Sequence, residues 1–73
     1  MMYFVTRVFF DAQTGKQSNS IEKKDDEVAA RKRFYAILGA DIDSTTISYE
    51  LVQIVREDGI CIASEVIDHR TEE

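Results

Sequence analysis

The chain has no proline, no tryptophan, three glycines, one cysteine and one histidine among its 73 residues. Each scarcity excludes something. A single cysteine, Cys61, rules out an internal disulfide, and a lone thiol without a disulfide framework fits a reducing cytoplasm. Cys61 and His69 together leave too few ligands for structural zinc, which takes about four Cys or His side chains. No run approaches ~18 consecutive apolar residues, and no N-terminal apolar stretch has signal length, so neither a membrane span nor export is expected. The missing proline and scarce glycine argue against linkers and low-complexity sequence. At 44% hydrophobic the chain is rich enough to fold.

Seventy-three residues support one small domain, spanning 1–73. A core of that size leaves only ~3–5 kcal/mol of net stability. With disulfide and zinc excluded, good packing or association between copies has to supply the rest.

The net charge of −5 is unevenly placed. Residues 1–40 carry seven Lys or Arg against five Asp or Glu, whereas residues 41–73 carry two against nine. The acidic half disfavours nucleic acid, because phosphate contacts need a basic footprint. Lys23, Lys24, Arg31, Lys32 and Arg33 are the best case for such a footprint. On a helix, however, Arg31, Lys32 and Arg33 point in three directions 100° apart rather than along one stripe. They serve better as partners for the helix dipole and for nearby acids.

Residues 3–10 are aromatic and β-branched, as a strand requires. Phe4, Val8 and Phe10 point one way, and Tyr3, Val5 and Phe9 the other. Residues 11–16 read as a turn with Thr14-Gly15 at its tip. A two-residue loop there pairs Val8 with Ile21 and Arg7 with Glu22, which supports a polar edge strand near 17–23; a plain loop fits equally well. Asp25 is placed to cap a helix and Gly39 to end it in a left-handed conformation. Ala30, Phe34, Ile37 and Leu38 form the apolar stripe, flanked by Val28 and Tyr35. Residues 40–45 read as a loop. Two strands follow, joined by Asp58-Gly59, a type I′ hairpin signal. The ends at Thr71, Glu72 and Glu73 are expected to fray.

The fold expected is α+β: a small antiparallel sheet of three or four strands (βαββ or ββαββ) with one helix on one face. The type I′ register pairs Val55 with Ile62, Leu51 with Val66 and Tyr49 with Asp68. That face, with Ile47 and Ile60, is the more apolar, and the helix is expected to cover it. The other face pairs Ile54 with Ala63, Val52 with Glu65 and Glu50 with Ile67, with Arg56 beside Cys61. A second copy of the chain is the natural cover for it, through Val52, Ile54, Ala63 and Ile67. Val5 and Phe9 join them where the odd-numbered residues of the first strand share that face.

No catalytic, cofactor or metal signature emerges. Residues 41–45 offer oxygen ligands but lack the glycine turn and ligand number of a calcium loop. Thr14-Gly15-Lys16 lacks the earlier glycine and following helix of a phosphate loop. Cys61 and His69 sit eight residues apart on one strand, ~26 Å when extended, too far for a dyad. Asp68 and His69 project to opposite faces. The reading is a non-enzymatic, cytoplasmic interaction module acting as a homodimer, without cofactor, metal, nucleic acid or membrane. The alternative is a small acidic inhibitor or adaptor of another protein, in the manner of phage proteins that mimic a phosphate backbone. Glu50, Glu57, Asp58, Glu65, Asp68, Glu72 and Glu73 would supply its charge.

Overall fold

A computed structural model describes residues 1–69; the expected fraying at Thr71–Glu73, and the charges of Glu72 and Glu73, lie outside them. The order is β1 (Tyr3–Asp11), β2 (Gln17–Lys24), α1 (Glu27–Asp41), β3 (Ile47–Arg56) and β4 (Cys61–Asp68). The strands form one antiparallel sheet in the order β2-β1-β3-β4, so the fold is α+β with ββαββ order. Residues 17–24 form a strand, which decides between the two readings of that segment.

The helix starts and ends later than the sequence suggests. Asp26, not Asp25, is the N-cap, and its carboxylate accepts from Ala29 N–H at 2.8 Å. Gly39 lies inside the helix rather than beyond its end. The last turn closes with Ile42 N–H donating to Leu38 O at 2.9 Å, and Ile42 itself is right-handed. No left-handed residue is needed there. The apolar stripe is as expected: Ala30, Phe34 and Ile37 are buried and Leu38 packs beside them.

Both hairpin turns differ from the two-residue form. Asp11 organises the first: its carboxylate accepts from Gln13 and Thr14 N–H, and its carbonyl accepts from Gly15 N–H. The loop is thus four residues long, with Gly15 at φ 74°. Val5 pairs with Glu22, Thr6 with Ile21 and Arg7 with Ser20, two residues away from the expected register. An even shift leaves every side chain on its expected face. In the second hairpin, Gly59 N–H donates to Arg56 O and Arg56 N–H to Ile60 O. Only Gly59 takes positive φ, at 91°. This is a type I turn closed by a left-handed glycine, not type I′, and it spares Asp58 the left-handed region. Pairing from Tyr49–Asp68 to Ile54–Ala63 is as expected, but Val55 then pairs with Cys61. Ile62 falls in the resulting bulge and packs against the core.

The largest correction concerns which face the helix covers. The core is Val5, Val52 and Ile54 from the sheet with Ala30, Phe34 and Ile37 from α1. The helix therefore lies on the face expected to meet a second copy. Handedness explains the choice. Asp11 N–H bonds to Lys16 O, and Met2 O accepts from Glu57 N–H. Odd-numbered residues of β1 thus turn their peptide groups toward β2, and even-numbered ones toward β3. For L-residues, viewed from the odd face with β1 running upward, β2 then lies on the right. Both β2 and β3 run antiparallel to β1, so they are parallel to each other. With α1 on the odd face, the β2–α1–β3 path is a right-handed crossover, as nearly all such connections are. Chirality outweighs the apolar count of the two faces.

Candidate interaction surface

The sheet face away from α1 is built from four rows of paired residues. They are Lys23–Phe4–Val55–Cys61, Ile21–Thr6–Gln53–Ser64, Asn19–Val8–Leu51–Val66 and Gln17–Phe10–Tyr49–Asp68. No described element covers them. Phe4, Val8, Phe10, Tyr49, Leu51 and Val55 fill the middle of this face and shield one another only to half-burial. Phe10 and Tyr49 meet edge to face with ring centroids 6.0 Å apart. Ile21 at 70% exposure and Val66 at 50% extend the apolar surface toward both edges. Charge is nearly absent: within these four rows only Lys23 and Asp68 are charged near neutral pH, at diagonally opposite corners. The strand charges Arg7, Glu22, Lys24, Glu50 and Glu65 all lie on the helix side. A sheet face left to water usually shows the reverse pattern, polar out and apolar in.

The residues expected to form the interface are elsewhere. Val5, Val52, Ile54 and Ile67 are buried on the helix side. Ala63 packs partly buried against the core, and Phe9 shares that face, its ring lying 4.4 Å from the Arg7 guanidinium carbon. None of these six reaches the open face. An apolar count could not choose between two apolar faces, and the hairpin bulge further moved Ile62 to the core side.

At the C-terminal end of α1 the helix side holds a charge cluster that pattern reading passed over. Arg7 Nε donates to Glu50 Oε2 at 2.6 Å, and Arg7 Nη2 to Asp41 Oδ2 at 2.9 Å. Glu50 is fully buried, and among the described residues its Oε1 has no hydrogen-bond partner. Burial, reinforced by the Asp41 carboxylate, pushes the Glu50 pKa up to about 7 against the opposing pull of Arg7. Nearby, His69 Nε2 lies 3.2 Å from Asp41 O. The cluster was legible as a polar pair, Arg7 and Glu50, set at core-facing positions of two apolar strands. Arg7, Asp41 and Glu50 already engage one another, which suits a structural clamp between α1 and the sheet.

The remaining chemistry is slight. A shallow cleft of about 210 Å³ lies between Phe9, Asp11, Lys16 and Thr46. The Asp11 carboxylate beside it is held by Gln13 and Thr14 N–H groups, which lower its pKa. Cys61 and His69 sit at opposite ends of β4. Arg31 pairs with Glu27 and Arg33 with Glu22, at 2.7 and 2.8 Å. Among the described residues no three His, Cys, Asp or Glu side chains gather to hold a metal ion, and no helix is long and apolar enough to cross a membrane. Compared with known proteins, the chain matches no family model, no curated protein and no solved structure.

Proposed function

We propose that this chain is a small, non-enzymatic, cytoplasmic interaction module that works as a homodimer through its open sheet face. The observation that carries the reading is the nearly charge-free apolar centre formed by Phe4, Val8, Phe10, Tyr49, Leu51 and Val55. Four strands ~4.8 Å apart, with about seven residues each at ~3.3 Å, give a face of about 450 Å² before side-chain relief is added. Two such faces in contact bury about 1,000 Å², the lower range for a specific interface. A second copy needs no further partner to match this surface, since it brings an apolar patch of the same size and outline.

Light scattering behind size exclusion tests the reading. The expected mass is near twice 8.4 kDa, little changed by salt. Leu51→Glu, at the centre of the open face, should give a folded monomer. A wild-type monomer at high protein concentration overturns the homodimer and turns attention to a different protein as the occupant of this face.

A further inference from the structure

We infer that the two copies pack crossed, with their strands near perpendicular, about a twofold axis along the diagonal from Gln17 to Cys61. This rests on the dimer proposed above and adds its geometry. Two identical faces meeting in a closed pair are related by a twofold axis lying in the interface. Sheets pack either roughly aligned or near perpendicular, so the axis runs along the strands, across them, or along one of two diagonals.

The two charged corners separate these arrangements. Lys23 ends the first row at the β2 edge, and Asp68 ends the last row at the β4 edge. An axis along the strands sets Lys23 against the second copy's Cys61, and Asp68 against its Gln17. An axis across the strands sets Lys23 against Gln17 and Asp68 against Cys61. The diagonal through Lys23 and Asp68 sets each charge against its own copy, which is repulsive. Only the diagonal through Gln17 and Cys61 places each Lys23 over the second copy's Asp68, twice by symmetry. Lys23 forms no ion pair within the described residues. A carboxylate has four lone-pair sites, so Asp68 can accept from it while keeping contacts in its own chain. Charges at an interface rim contribute more to orientation than to affinity, which is the role needed here.

Sheet twist shapes the contact that this arrangement makes. Strands twist in a fixed sense, so a sheet is a saddle. Seen from the open face, with β1 upward and β2 on the left, the Lys23 and Asp68 corners curl away from the viewer. The Gln17 and Cys61 corners curl forward. Two such saddles, crossed, separate at the first pair of corners and close at the second. The long lysine chain then spans the wider, solvated gap, while Cys61, at a closing corner on the axis, faces its own copy.

The closing experiment uses the native chain, whose only thiol is Cys61. Light scattering first establishes whether a dimer is present. A short bis-maleimide should then join Cys61 to Cys61 in the wild-type dimer but not in the Leu51→Glu monomer. At low salt, Lys23→Glu should weaken the dimer roughly tenfold, as the loss of two rim pairs implies. Adding Asp68→Lys to Lys23→Glu should restore it. A dimer that neither cross-links at Cys61 nor recovers in the charge swap overturns the crossed arrangement and leaves the homodimer standing. A monomer overturns both.

Discussion

Arg7 and Glu50 meet inside the junction of sheet and helix, with Nε 2.6 Å from Oε2, on a face where every neighbouring pair is otherwise apolar or at the rim. Among the described residues, Glu50 is the only buried side chain that can carry a charge. Burial disfavours its ionised form, the Asp41 carboxylate adds to that, and Arg7 opposes it without prevailing. The folded pKa, about 7, lies above the ordinary value of 4.5. The unfolded chain therefore releases this proton at lower pH than the folded one does. Protonation favours the native state, and the advantage is fully present only below the unfolded value.

Stability should accordingly fall as pH rises from about 4.5 to 7, by no more than about 3 kcal/mol from this group. Asp11 and Asp58 work in the other direction. Both have lowered pKa values, Asp11 from Thr14 and Gln13 N–H groups and Asp58 from Ile60 N–H and Arg56. Their contribution is present above the ordinary carboxylate range and is lost as pH falls through their folded values. Urea midpoints across the pH range should thus show a maximum on the acid side of neutrality. Glu50→Gln keeps an acceptor for Arg7 and removes the titration, so it should flatten the decline between pH 5 and 8. An unchanged slope in that variant would place the titrating group elsewhere.

Gly39 and Gly59 should respond oppositely to one substitution. Gly39 lies in the helix interior, and a Cβ added there meets nothing within 4 Å. Gly39→Ala should stabilise the fold by ~0.5–1 kcal/mol, the usual helix preference for alanine. Gly59 also has open space around it, but its φ of 91° closes the second hairpin. Gly59→Ala should destabilise by ~1–2 kcal/mol, because an L side chain strains that backbone. Thermal melts of the two variants are sufficient. A stability loss in Gly39→Ala would mean the helix ends at Gly39 after all.

The elements were legible where local chemistry decides. Strand-forming side chains marked residues 3–10, the Ala30–Phe34–Ile37 stripe marked the helix face, and most of the β3–β4 register followed from Asp58-Gly59. What was not legible depended on the whole chain. Two apolar faces competed for one helix, and the choice followed from the handedness of a crossover that spans β1. That crossover appears only once β1 is known to sit between β2 and β3. The turns were misjudged for a smaller reason: the Asp11 carboxylate caps a four-residue loop, and a left-handed glycine serves a type I turn as readily as type I′. The sequence pattern points to two apolar sheet faces but not to the one that α1 covers. Val5, Val52 and Ile54 became core, and Val8, Leu51 and Val55 were left outside.

Phe34 tests the seating of the helix. It is 2% exposed, lies in the core cluster with Val5, Val52 and Ile54, and meets Tyr35 edge to face with centroids 5.2 Å apart. Phe34→Ala removes its burial and opens a cavity beneath α1, at a loss of ~3–5 kcal/mol. In a domain with ~3–5 kcal/mol to lose, that is enough to unfold it. Ile54→Asp should do the same by burying an unpaired carboxylate among those residues. If urea melts show Phe34→Ala losing less than about 1 kcal/mol, the Ala30–Phe34–Ile37 stripe does not face the sheet. If Ile54→Asp instead folds with unchanged stability, α1 does not cover the face that carries Ile54, and the surface proposed here for a second copy would be the wrong one.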